Sequence, residues 1–131
     1  MKLILLTALL SANSLLLATD TTRTSIPKTK LLYGTASYYA NSFNGKKTAN
    51  GEIYSHKKMT AACNVLPLGT WIRVTNLRNG KSVIVKINDR LHARMKRVVD
   101  LSKEAADKLN YIKSGLTRVR VEVLGKQKPE K

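Results

Sequence analysis

The stretch from Asn79 to Arg90 (Asn-Gly-Lys-Ser-Val-Ile-Val-Lys-Ile-Asn-Asp-Arg) constrains the fold of this chain more than any other. Asn79-Gly80 is a hairpin signal, because a type I′ turn needs φ > 0 at both central residues. Behind it Val83, Val85 and Ile87 alternate with Ser82, Ile84 and Lys86, the period of a strand with one face on a core. The alternation stops at Asn88-Asp89-Arg90, which puts a carboxylate where core should meet solvent. A strand end is a rigid mount for a catalytic acid. The plainer reading is a turn, since Asp often ends strands by bonding its own backbone. Spacing alone leaves both open.

The flanking sequence supplies partners for that strand. Leu31 to Tyr39 reads as a first strand, Asn41 to Gly51 as a polar loop, Glu52 to Tyr54 and Met59 to Cys63 as short strands. Leu66-Pro67-Leu68-Gly69 is a turn, since Pro67 presets φ and Gly69 tolerates φ > 0. Trp71 to Leu77 pairs with Ser82 to Ile87 through Asn79-Gly80. Leu91 to Lys96 is a basic loop. Ser102 caps a short helix to Leu109, with Glu104 in the first turn, where the helix dipole favours an acid, and Asn110 at its exit. Arg118 to Val123 alternates again, with three valines inside. Short strands, tight turns and one small helix predict a mainly β fold, a small closed barrel. Closure also removes the edges that so basic a sheet would expose.

In 131 residues there is room for one domain. Residues 1–18, one Lys followed by an apolar run ending in small residues, read as a secretory signal peptide. The run is shorter than the roughly 20 residues that span a bilayer, so stable insertion after cleavage is not expected. No cysteine follows it to carry a lipid. Residues 19–30, Thr-rich and broken by Pro27, read as a linker; 31–124 form the domain and 125–131 a charged tail.

The net charge of +16 favours polyanionic partners. Nucleic acid is not the expected one, because the basic residues are scattered and one Phe and one Trp offer few stacking platforms. An exported chain meets anionic wall polymers instead. Cys63 is the single cysteine, so the core holds the fold without a disulfide. With His56 and His92 it makes too small a ligand set for a metal site. A nucleophile built from Cys63 and either histidine lacks a group to orient the imidazole.

The eight acids separate by position. Asp20 and Glu130 lie outside the domain; Glu104, Asp107 and Glu122 read as surface residues, and Asp100 as a structural residue before the helix cap. Glu52 and Asp89 remain, each beside a turn and flanked by polar loops. An unperturbed Asp keeps its proton in about one molecule in a thousand at pH 7, so an acid catalyst here needs shelter from water and from nearby cations.

Taken in order, Gly34-Thr35-Ala36-Ser37-Tyr38-Tyr39, Thr48-Ala49-Asn50-Gly51-Glu52, Thr60-Ala61-Ala62, Leu66-Pro67-Leu68-Gly69-Thr70, Val74-Thr75-Asn76-Leu77, Asn79-Gly80, Asn88-Asp89-Arg90 and Val98-Val99-Asp100-Leu101-Ser102 resemble the RlpA-like (rare lipoprotein A) family. The resemblance covers nearly all of residues 31–124. It implies a six-stranded double-psi β-barrel with one short helix, similar to barwin and the first expansin domain. It also implies an endolytic peptidoglycan lytic transglycosylase without a cofactor. Such an enzyme cuts between N-acetylmuramic acid and N-acetylglucosamine in glycan lacking stem peptides, and leaves 1,6-anhydro ends during wall remodelling or cell separation. A usual glycosidase needs two carboxyl groups. A lytic enzyme needs one, because the sugar's C6 hydroxyl replaces water.

Position by position, Asp89 matches the family's catalytic aspartate and Glu52 its second acidic residue. Asn50, Arg90, His92 and Tyr39, whose ring would stack on sugar, are the expected substrate contacts. So is Cys63, which stands where the family usually has histidine. The expected form is a soluble monomer, periplasmic or secreted, on glycan strands. Competing readings are an expansin-like module that binds peptidoglycan without cutting it, and a thiol peptidase acting on stem peptides.

Overall fold

The computed structural model describes residues 28–130, so the expected signal peptide and most of the expected linker lie outside the described residues. Six strands and one helix follow in order: β1 (Leu31–Tyr38), β2 (Thr60–Ala62), β3 (Trp71–Asn76), β4 (Ser82–Asp89), β5 (Val99–Leu101), α1 (Lys103–Lys108) and β6 (Thr117–Gly125). The strands close into a barrel in the order β1-β5-β2-β4-β3-β6. β1–β5 and β2–β4 are parallel pairs, and the other four contacts are antiparallel. This is the double-psi barrel that the resemblance implies.

Alternation fills the interior. Ile72 and Val74 from β3, Val85 and Ile87 from β4, and Val119 and Val121 from β6 are fully buried. α1 closes the barrel over Ala105, Ala106 and Leu109, all buried, and Ser102 Oγ accepts its Ala105 N–H at 3.3 Å. Asn110 ends the helix in the left-handed region at φ 60°, which Asn tolerates better than most residues. Gly34 on β1 sits against Val98: a Cβ there would lie 2.9 Å from the Val98 Cβ. Gly34→Ala is therefore expected to cost about 1–3 kcal/mol through overpacking, read as a lower midpoint in thermal unfolding.

Two local expectations are corrected. The β3–β4 connection is not a type I′ turn, since Gly80 (φ 77°) has positive φ and Asn79 does not. The loop is longer than two residues, closed by Asn76 N–H to Lys81 O at 2.8 Å and Gly80 N–H to Asn76 O at 2.8 Å. Asn79 serves it differently: its side-chain amide donates to Leu109 O at 3.0 Å and so ties the hairpin to the helix end. Glu52 to Tyr54 form no strand either. A single antiparallel bridge, Lys47 to Ile53, is all the sheet pairing this segment makes.

The end of β4 carries the consequence for function. Unbroken alternation from Val83 through Val85 and Ile87 would aim Asp89 into the core. Against β2, however, Ala61 pairs with Ile87 and Ala62 with Asp89, so Asn88 is an extra residue in the ladder. A bulge of this kind re-aims the side chain that follows it. Asp89 thus comes out on the same face as Ala62, and the buried Asn88 takes up the mismatch.

Candidate active site

Asp89 is held by three donors. The Tyr39 hydroxyl donates to Oδ2 at 2.6 Å, and the Ala49 and Arg90 backbone N–H groups donate to Oδ1 at 2.9 and 2.8 Å. The Tyr39 ring is itself fixed, stacked on Tyr54 with centroids 4.0 Å apart and planes within 11°, and edge-on to Phe43 at 5.6 Å. Burial, followed by the hydrogen bond to Asp89, pushes the Tyr39 phenol far above its ordinary pKa, so it stays a donor at every working pH. Tyr54 is pushed up to about 12, chiefly by burial; its hydroxyl accepts from Lys103 N–H at 3.3 Å and meets His56 Nδ1 at 2.8 Å.

Across the sheet a second carboxyl faces the same space. Ala62 pairs with Asp89 on one side and with Asp100 on the other, and Asp100 pairs with Ser37. Directly paired residues share a face. Ser37, Asp100, Ala62 and Asp89 therefore form one row over four strands, two acids flanking a methyl group. Two strand spacings put the acid Cα atoms about 10 Å apart. This row floors a groove of about 600 Å³, walled by Tyr38, Phe43, Leu91, His92, Met95 and Arg97 among others. Such a volume falls within the range of small-ligand sites.

Ser37 Oγ donates to Asp100 Oδ1 at 2.8 Å. Burial raises the Asp100 pKa above the ordinary aspartate value; Ser37 and Arg97 oppose the shift and Asp89 adds to it. The folded state then binds more protons than the unfolded chain between the two pKa values, so stability falls as pH rises through the folded value. Asp100→Asn is accordingly expected to melt at a higher temperature than wild type at pH 7. The gap should close as the pH approaches about 4. Thermal unfolding over a pH series checks this.

Not every expected site residue reaches the groove. Glu52 is absent from its lining: its carboxylate accepts from the Asn50 amide and lies 3.9 Å from Lys86 Nζ. That hydrogen bond, assisted by Lys86, holds Glu52 below the usual carboxylate range, which suits an anion and not a proton donor. Asn50 is spent within the same loop, its Oδ1 accepting from Thr48 Oγ1 at 2.6 Å and Glu52 N–H at 3.0 Å. Its N–H bonds Asn88 O at 3.2 Å. Together these contacts brace the loop that delivers the Ala49 N–H to Asp89.

Cys63 is fully buried in the core, so its thiol touches no substrate and cannot serve as an accessible nucleophile. Tyr39, 4% exposed, has one ring face stacked on Tyr54 and its hydroxyl on Asp89, so little of it is open to a sugar and it positions the acid from the groove lining. The Arg90 guanidinium turns away from Asp89 to the carbonyls of Cys63 and Leu66, the latter at 2.6 Å. His92, exposed, does line the groove. Asp100 is the residue that sequence reasoning set aside as structural. Its signal was present: Val99 and Leu101 read as core, so the residue between them faces the other way.

The comparisons with known proteins bear on the family and the fold. The family model described as lytic transglycolase matches residues 32–121. The endolytic peptidoglycan transglycosylase RlpA of Pseudomonas aeruginosa is 55% identical over 91 residues, covering 70% of this chain and 27% of that one. Its Campylobacter jejuni counterpart is 48% identical over 92 residues, covering 70% and 34%. The chain thus spans about a third or less of these relatives' length. Among solved structures, a Streptomyces papain inhibitor is similar at TM-score 0.60 and 20% identity, covering 76% of this chain and 98% of that one. A Clavibacter michiganensis expansin is similar at TM-score 0.60 and 19% identity, covering 76% and 53%; at such identities the likeness speaks for the fold alone. With the family model running from within β1 into β6, over well more than half of its length, the chain belongs to the lytic transglycolase family.

Proposed function

We propose that this chain is an endolytic peptidoglycan transglycosylase acting on glycan strands without stem peptides, exported to the periplasm or beyond. The observation that carries the reading is the bulge-presented Asp89, fixed by Tyr39, Ala49 and Arg90 N–H at the floor of a sugar-sized groove. Asp89 as the acid donates its proton to the oxygen between the two sugars. The bond from that oxygen to C1 of the muramyl residue breaks, and positive charge develops on C1 and the ring oxygen. The Asp89 carboxylate then takes the proton of the C6 hydroxyl as O6 closes on C1. A 1,6-anhydro ring forms, no water is consumed and Asp89 regains its proton. Asp100, across Ala62, supplies negative charge opposite the developing cation. Glu52 acts through the loop that it braces, as a positioning residue.

The high net positive charge suits a polyanionic wall. Incubation of purified protein with bare glycan should release long fragments first and shorter ones later, as internal cutting requires. Release of single disaccharides from the outset would contradict the endolytic reading.

The burial of Cys63 favours a second reading, a module that binds the wall without cutting it. The position where the family resemblance places a histidine sends no side chain into the groove, and His92 is the imidazole that lines it. Retention on peptidoglycan without product release over long incubation would support that module.

Tyr39→Phe separates positioning from packing. It keeps the stack on Tyr54 and deletes the donor to Asp89, so turnover should fall about tenfold while the melting temperature changes little. Steady-state rates and thermal unfolding of the same preparation decide it.

A further inference from the structure

Two arginines border the groove and their situations differ. Arg90 is committed to two carbonyls. Arg97 is not: among the described residues it forms no ion pair, and its Nη2 donates to the Met95 sulfur at 2.7 Å, a weak acceptor. It lines the same groove as Asp100, close enough for its charge to act on that carboxyl. The groove therefore holds Asp89 and Asp100 on its floor, His92 and Arg97 on its wall, and one guanidinium fork without a carboxylate partner.

We infer that Arg97 binds the free lactyl carboxylate of a muramyl residue lying over Ala62, and so selects glycan whose stem peptides have been removed. The inference rests on the reading of the groove as a peptidoglycan site. A muramyl ring carries its lactyl ether at C3, two carbons along the ring from C1. With C1 at Asp89 and the ring over the Ala62 methyl, C3 falls on the half of the ring away from Asp89, where the row offers its substituent Asp100 and Arg97. Once the stem peptide is gone, the lactyl group ends in a carboxylate, which matches the planar fork of arginine with two parallel charge-assisted bonds. With the peptide attached it ends in a neutral amide, which offers one acceptor and no charge. Ser37 holds the Asp100 carboxyl by Oδ1, and among the described residues no ion pair joins Asp100 to Arg97, so the fork is open to an incoming anion.

The test compares peptide-free glycan strands with the same strands after their lactyl carboxylates are converted to methylamides. Dissociation constants are measured in an Asp89→Asn background, so that nothing is cut, and KM in proteins that retain Asp89. The Asp89 protein should favour the carboxylate strands about tenfold or more. Arg97→Gln should bind the two strands alike, and Arg97→Lys should restore part of the preference. Arg94→Gln, on the same basic loop but away from the groove lining, should keep the full preference. Equal binding of both strands without the Arg97 substitution would overturn the inference. So would a preference that survives Arg97→Gln, or one lost equally in Arg94→Gln, which would mark it as general attraction to the +16 surface. Because binding is read apart from cutting, a protein that prefers carboxylate strands yet releases no product would refute the lyase reading and leave the Arg97 assignment standing.

Discussion

Asp89→Asn should reduce glycan cutting by about 10²–10⁴-fold, toward the upper end because one group serves first as acid and then as base. The fold should survive. The asparagine Oδ1 can still accept from the Ala49 and Arg90 N–H groups, and the bulge at Asn88 does not depend on the side chain that follows it. Affinity for peptide-free strands should stay within a few-fold of wild type, because the groove walls are unchanged. A rate left near wild type would move the acid role to Asp100, the other carboxyl on the groove floor. Rates with soluble glycan strands, beside a melting curve for each protein, distinguish these outcomes.

Arg90→Ala should act in the opposite manner, on stability before substrate. Its guanidinium satisfies the carbonyls of Cys63 and Leu66, in the segment that continues from β2 toward the Leu66 turn. Hydrogen bonds with a charged partner contribute about 1.5–3 kcal/mol, and buried acceptors left bare add a penalty. Partial exposure lowers the sum, and about 2 kcal/mol is a fair expectation, equivalent to a fall of roughly 10 °C in melting temperature for a domain of this size. A substrate-binding arginine would show the reverse pattern: weaker glycan binding with the melting temperature unchanged. Arg90→Lys should recover part of the loss, since both bonds leave one nitrogen, Nη1, and an ammonium also carries several donors, though on a side chain one bond shorter.

Local alternation made much of this fold legible in the sequence. Val83, Val85 and Ile87 on β4 and Val119 and Val121 on β6 are buried as their period requires, and the Ser102 cap and Asn110 exit bound α1. The strand order was not legible. The parallel β1–β5 and β2–β4 pairs join segments far apart in the chain, and nothing in either segment names its partner. The broken pattern marks Asp89 as a strand end and only the family resemblance marks it as an acid catalyst, while its direction depends on a bulge that exists only against β2. Glu52 is expected at the site because it matches the family's second acidic residue. The Asn50 amide and Lys86 hold it elsewhere. Arg90 and Tyr39 have long or broad side chains whose targets lie many residues away, so position near a catalytic acid could not distinguish contact with substrate from support of the acid.

In this mechanism a single acid at the end of β4 drives ring closure by the sugar's own hydroxyl. Mass spectrometry of the ends generated from bare glycan tests this most directly. Muramyl ends one water lighter than a hydrolytic product are expected from the protein with Asp89 and not from Asp89→Asn. Muramyl ends that carry the added water, and can be reduced by borohydride, would contradict it.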